Sequence, residues 1–183
     1  MNTRPTVLLC LVLAFVLTAA NADTFYVTYN GNNTIEKFSS SGADLGTFAS
    51  GLNGPHGLAF DSSGNLYVAE ALANVIEKFS PTGTDLGAFV ASGLDHPSGL
   101  AFDSSGNLYV TNSGSSSSLI KKFSSTGTYL STFPSGGRIG SYGLAVDHSN
   151  NIYVPFFGSD SIVKYSSSGA DLGAFAKIGR AHV

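Results

Sequence analysis

The chain has 183 residues, with 9 Lys+Arg against 12 Asp+Glu for a formal net charge of -3, and only 11% of its residues are charged. That is less than half of the roughly 25% typical of soluble domains, and the polarity comes instead from 27 Ser and 22 Gly. A phosphate-binding groove needs clustered Lys and Arg, and Lys121-Lys122 is the one adjacent basic pair, so nucleic acid is excluded as a charge-matched partner.

Arg4 and the amino terminus precede an apolar run from Val7 to Leu17 and then Ala20-Asn21-Ala22. A basic start, a short apolar stretch and an A-x-A site make a secretory signal, removed before Asp23. Such a run would reach only about 16 Å as a helix, too short for a hydrocarbon core of about 30 Å. Residues 1–22 are therefore expected to be cleaved. The mature chain is then secreted, or periplasmic in a bacterium, with no membrane contact afterwards. Cys10 is the single cysteine, so the mature chain has no disulfide, thiolate metal site or cysteine nucleophile.

Beyond the leader the chain repeats itself. A first strand, Phe25-Tyr-Val-Thr28, leads to Ile35-Glu-Lys-Phe38 and Asp44-Leu-Gly-Thr-Phe48. The segment Gly57-Leu-Ala-Phe-Asp-Ser-Ser-Gly-Asn-Leu-Tyr-Val68 recurs letter for letter 42 residues later, from Gly99 to Val110. It recurs again, altered, 44 residues further on, from Gly143 to Val154. Ile76-Glu-Lys-Phe79, Ile120-Lys-Lys-Phe123 and Ile162-Val-Lys-Tyr165 follow in register, as do Asp85-Leu-Gly-Ala-Phe89, Tyr129-Leu-Ser-Thr-Phe133 and Asp171-Leu-Gly-Ala-Phe175. Short β-rich runs bounded by Asp-Ser-Ser-Gly and Ser-x-x-Gly turns read as four antiparallel strands per unit. No stretch beyond the leader carries a 3.6-residue period, so the class is all-β. A four-strand unit of about 40–45 residues, repeated, is the mark of a propeller blade.

The boundaries fall at 23–55, 56–97, 98–141 and 142–176. The first unit lacks its innermost strand on this count. The last residues, Lys177-Ile-Gly-Arg-Ala-His-Val183, match nothing earlier and resemble the translation of a sequencing adapter, so 177–183 is expected to be a non-native tail. Between residues 23 and 176 the net charge is -6. The chain is expected to be a fragment of a larger, six-bladed ring of about 250 mature residues. An open array of this kind leaves apolar faces at its ends.

The unit Gly-Leu-Ala-Phe-Asp-Ser-Ser-Gly-Asn-Leu-Tyr-Val, then Ile-x-Lys-Phe, then Gly-x-x-Leu-x-x-Phe, resembles the NHL-repeat β-propellers. It is also similar to streptogramin-lyase-type and gluconolactonase-like propellers, and the resemblance spans residues 23–176. It implies blades around a channel, with ligands met by the loops of one face. Lactonase-like hydrolases and lyases of such folds use metal ions, but none of their site residues can be matched here motif by motif.

Candidate chemistry is sparse. His56, in Asn53-Gly-Pro-His56, and Asp95-His96 lie in connections leading to innermost strands, and imidazole and carboxylate there are weak candidates for holding a metal. They occupy different positions of the repeat, so the reading as ordinary loop residues stands beside it. Asp61, Asp103 and Asp147 recur at one position and suit either Ca²⁺ and acid–base work or, better, closure of their own turns. Glu70 and Asn112 take equivalent places after the second strand, where ligand contact and solvated loop are both open. Phe156-Phe157 does not repeat and is either an exposed contact or core. Asn32-Asn33-Thr34 is a glycosylation sequon at Asn32 if the pathway is eukaryotic. No G-x-S-x-G, P-loop or H-E-x-x-H occurs, so no catalytic residue is assigned.

Two functions remain. The first is a secreted propeller that binds a protein, peptide or carbohydrate on its loop face and needs no cofactor. The second is a metal-dependent hydrolase or lyase using Ca²⁺ or Zn²⁺, its site incomplete in this chain.

Overall fold

A computed structural model describes residues 14–16, 24–114 and 118–178. Strands β1 (Ala14–Val16), β2 (Thr24–Tyr29), β3 (Thr34–Ser39) and β4 (Asp44–Ser50) form one antiparallel sheet in chain order. The same order holds for β5 (Pro55–Phe60), β6 (Leu66–Glu70), β7 (Val75–Phe79) and β8 (Asp85–Val90). It holds again for β9 (Pro97–Phe102), β10 (Leu108–Asn112), β11 (Leu119–Phe123) and β12 (Tyr129–Pro134). The last sheet joins β13 (Ala145–Val146), β14 (Ile152–Phe156), β15 (Ser161–Tyr165) and β16 (Asp171–Lys177). The one helical element among the described residues is a 3-10 turn at Phe157–Ser159. The chain is thus an all-β array of four propeller blades, as the repeat requires.

The first blade departs from the expected three strands. Ala14–Val16, within the stretch read as a leader, pairs with β2 through Ala14↔Tyr26, Phe15↔Phe25 and Val16↔Thr24. An edge strand offers unpaired N–H and C=O groups to any extended neighbour, and here this segment takes them up. The cleavage site, the remainder of the leader, Ser115–Ser117 and residues 179–183 lie outside the described residues.

Two side-chain devices shape each blade. At the first hairpin an aspartate gathers the turn. Asp103 Oδ1 accepts the backbone N–H of Ser105 at 2.9 Å and of Asn107 at 2.8 Å. Its Oδ2 accepts Asn107 Nδ2 at 2.8 Å and the Tyr109 hydroxyl at 3.3 Å. Asp61 and Asp147 repeat the pattern with Asn65 and Tyr67, and with Asn151 and Tyr153. At the outer hairpin the hydroxyls of Ser39, Ser80, Ser124 and Ser166 each accept a backbone N–H four residues on, at 3.1 Å. The glycines between (Gly42, Gly83, Gly127 and Gly169) have φ from +80° to +91°, a region that L side chains rarely adopt.

Alternation then divides each blade into two apolar faces. Tyr26, Ile35 and Phe48 of the first blade meet Leu58, Leu66, Val68 and Phe79 of the second in one cluster. Tyr67, Ile76 and Phe89 meet Leu100, Leu108, Val110 and Phe123 in the next. Tyr109, Ile120 and Phe133 meet Leu144, Ile152, Val154 and Tyr165 in the third. Each ring pair is edge-to-face, such as Tyr67 with Phe89 at 4.8 Å and 85°, which suits the quadrupoles of the rings. On the fourth blade the corresponding face holds Tyr153 and Phe175, their rings 4.9 Å apart, and Phe175 is 62% exposed.

The blades approach most closely along their inner strands. A Cβ added at Gly57 would lie 2.1 Å from the Ser98 carbonyl oxygen, and one at Gly99 would lie 2.6 Å from the Gly143 Cα. Ser98 Oγ also donates to the Ser141 carbonyl at 3.0 Å, and Thr28 Oγ1 to the His56 carbonyl at 2.8 Å.

Candidate functional site

Antiparallel pairing brings the end of each second strand beside the start of each innermost one. Glu70 stands opposite Pro55, and Asn112 opposite Pro97. The loops of one face of the array are therefore assembled from these ends. Incoming loops are held by acceptors from two blades. Asn33 Oδ1 of the first blade accepts the N–H of Gly54 at 3.1 Å, and Asn74 Oδ1 of the second accepts that of His96 at 2.7 Å. From the receiving blade, Glu70 Oε2 accepts the N–H of Asn53 at 3.1 Å, and Asn112 Oδ1 that of Asp95 at 2.9 Å.

Glu70 and Asn112 are both buried, so these two side chains are engaged in holding loops in place. Burial, opposed by the Asn53 N–H and reinforced by the charge of Asp85, leaves the Glu70 carboxyl above its ordinary range. Phe156 is buried in the cluster between the third and fourth blades, whereas Phe157 beside it is 73% exposed. The adjacent Phe pair thus divides into one core residue and one surface residue.

His56 is half-buried at the start of β5. Burial and the nearby His96 hold its imidazole below the usual histidine range. His96 is exposed, in a left-handed conformation with φ +50°, and its Nδ1 lies 2.9 Å from Asp95 Oδ1. Among the described residues no three His, Cys, Asp or Glu side chains converge as a metal-binding group. Of His56, Asp95 and His96, the structure brings the last two into direct contact and joins no third such ligand to them among the described residues. Asp61, Asp103 and Asp147 are occupied by their own turns. Burial raises Asp103, but Asn107, Ser105 and Lys122 outweigh it and hold the carboxyl below its ordinary range. Side-chain and backbone donation by Asn151 hold Asp147 down at about 2. Asn32 is exposed in the β2–β3 turn, on the same face as the loops.

Apolar residues are exposed on this face beside the polar Asn32, Asn53, Asp95 and His96. Phe157, Tyr142, Gly140 and Pro155, with Ile178 from the stretch read as a non-native tail, line a cleft of about 280 Å³ with one carboxylate, Asp160. Ile139 is exposed beside it, against Gly158, and Leu72 is exposed separately on the second blade, against Gly54. Sequence reading passed over Leu72, Ile139 and Tyr142. The available signal was that none of them repeats: Tyr142 stands where the other units have His56 and Ser98, and Ile139 where they have Asn53 and Asp95.

Comparison with known proteins agrees with the geometry. Residues 94–123 match the NHL repeat family model. No curated protein matches. Among solved structures, a streptogramin B lyase is similar at 19% identity and a TM-score of 0.68, over 91% of this chain and 55% of that one. A virginiamycin B lyase from Staphylococcus aureus is similar at 17% identity and TM-score 0.69, over 93% and 56%. A gluconolactonase from Xanthomonas campestris is similar at 20% identity and TM-score 0.68, over 85% and 59%. This chain thus spans little more than half the length of these structures, and identities this low show the fold alone. The repeat, the sheets and the structural likeness converge on one description: an array of four β-propeller blades in which residues 94–123 match the NHL repeat.

Proposed function

We propose that this chain is an exported binding propeller, holding a protein or peptide ligand on the loop face with apolar side chains. The observation that carries this reading is the cleft at Phe157 and Tyr142, continued by exposed Ile139, on a face whose polar side chains Glu70 and Asn112 are engaged with backbone. Exposed aromatic residues beside buried anchors are the composition of interaction surfaces. A carbohydrate would use the same aromatic faces, with Asp160 as acceptor for a hydroxyl.

The test is titration of the secreted protein against a peptide and oligosaccharide panel. Phe157→Ser is expected to weaken the best binder at least tenfold, about 1.4 kcal/mol, with an unchanged melting temperature. Binding unaffected by Phe157→Ser and Tyr142→Ser would remove the reading. A stoichiometric metal in the purified protein, with turnover of a lactone, would replace it by the hydrolase alternative. N-terminal sequencing of secreted material is expected to begin at Asp23; a start at Met1 would rule out signal cleavage.

A further inference from the structure

The three seams between blades share one scaffold but differ at their outer ends. Between the second and third blades, Lys121 reaches across and its ammonium donates to the Gly93 carbonyl. Between the third and fourth, Arg138 Nη1 donates to Asp171 Oδ2 at 2.7 Å and to the Ser135 carbonyl at 2.9 Å, with its guanidinium over the Phe156 ring. Between the first and second blades the positions equivalent to Asn112, Lys121 and Tyr129 hold Glu70, Glu77 and Asp85. All three carboxyl groups line one cleft of about 480 Å³, against Ser50-Gly51-Leu52 of the first blade, with no Lys, Arg or His among its lining residues. Gly51 is the counterpart of Gly93. A seam that elsewhere carries a cation therefore carries three acids here.

The surroundings leave few other charges. From the first blade Lys37 stands over the Phe48 ring, 5.9 Å from its centroid, and Asp44 is exposed with its carboxylate on the Gly46 N–H. Glu36 lies on the opposite face of β3 from the buried Ile35. Lys78 lies on the opposite face of β7, 3.8 Å from Asp61.

We propose that the seam between the first and second blades is a proton-operated joint, tight while Glu77 is protonated and loosened when Glu70, Glu77 and Asp85 are all ionised. Ser50-Gly51-Leu52 of the first blade closes over these acids, and burial favours the neutral carboxyl; once ionised, Glu77 meets two further negative charges on its own blade and is better solvated with the seam open. Burial first, then the charge of Asp85 and a shared hydrogen bond with it, and then Glu70, push Glu77 up to about 7. The closed joint therefore binds a proton that the open joint releases. Closure is complete below the ordinary glutamate range, weakens as pH rises towards about 7, and is level above it.

Hydrogen exchange of the full chain, corrected for intrinsic rates and followed from pH 5 to pH 8, tests this. Protection of segments 44–54 and 75–90 is expected to fall at least tenfold between about pH 5 and pH 7, while segment 119–134 of the next seam keeps its protection. Glu77→Gln, neutral at every pH and still a donor, is expected to abolish the fall. Glu77→Lys, which restores the residue type of Lys121, gives a second flat profile. A pH-independent first seam in the wild-type chain, or a slope that persists in Glu77→Gln, would overturn the proposal.

Discussion

Gly57→Ala is expected to cost about 3 kcal/mol or more, a large share of the 5–15 kcal/mol that holds a typical domain together. The added methyl would meet the Ser98 carbonyl oxygen at 2.1 Å, with the Gly99 Cα at 3.1 Å behind it. Both are backbone atoms of a neighbouring strand, so no rotamer change relieves the contact. The seam between the second and third blades must widen, and it takes Leu100, Leu108 and Val110 away from their packing partners Tyr67 and Ile76. Overpacking of a close-packed interior usually costs about 1–3 kcal/mol where side chains can yield; here they cannot. Thermal melting should show a drop of about 10 °C, given about 2–4 °C per kcal/mol in a chain of this size. The control is built into the repeat. Gly143 is the same residue one blade after Gly99, and an added Cβ there meets nothing within 4 Å. Gly143→Ala should leave the melting curve within about 0.5 kcal/mol of the parent. Equal effects at the two positions would show that inner-strand contact is not what excludes a side chain.

Asp103→Ala has the second large effect, about 3 kcal/mol. Asp103 is only 9% exposed, and its two oxygens together satisfy two backbone N–H groups, the Asn107 amide and the Tyr109 hydroxyl. Lys122 Nζ is a further partner at 3.5 Å, and it lies 4.9 Å from the centroid of the Tyr109 ring. Hydrogen bonds to a charged group contribute about 1.5–3 kcal/mol each at most, and deletion also strands the donors. The turn and the second strand loosen together. Asp103 is depressed below the ordinary carboxylate range, so its contribution is present above that range and lost as pH falls through the lower, folded value. Urea titrations at pH 7 and at pH 3 check this. The gap between parent and Asp103→Ala should narrow at the acid end, and a constant gap would mean that charge plays no part. Acid thus weakens this turn while the Glu77 joint gains from protons, and the two effects oppose each other below neutrality.

The fold was legible because it is written several times. One copy of Gly-Leu-Ala-Phe-Asp-Ser-Ser-Gly-Asn-Leu-Tyr-Val could be a hairpin of any β protein; three copies in register fix strand number, blade and face. The reading of Asp61, Asp103 and Asp147 as turn-formers holds for the same reason, since a position required by local geometry recurs wherever that geometry recurs. The loop face was less legible. Glu70 and Asn112 carry polar atoms suited to ligand contact, but their acceptors point into loops that sequence alone does not place. Glu77 was hidden inside the repeated Ile-Glu-Lys-Phe block. Its meaning came from Asp85, eight residues on and across a strand pair, and from the loss of the lysine that serves the next seam. Ala14–Val16 was read by composition as leader, and pairing with β2 is a contact that composition does not report.

The double clamp on the connecting loops separates holding from displaying. Asn33 and Glu70, and likewise Asn74 and Asn112, fix each loop by its backbone N–H groups, leaving the outward side chains free of structural duty. Asn53 and Asp95, the exposed residues at which these two loops are held, can then be exchanged without disturbing the frame that carries them. The same arrangement lets a protein engineer randomise those two positions as a selectable surface, with the clamping residues kept constant and the blades serving as a disulfide-free chassis.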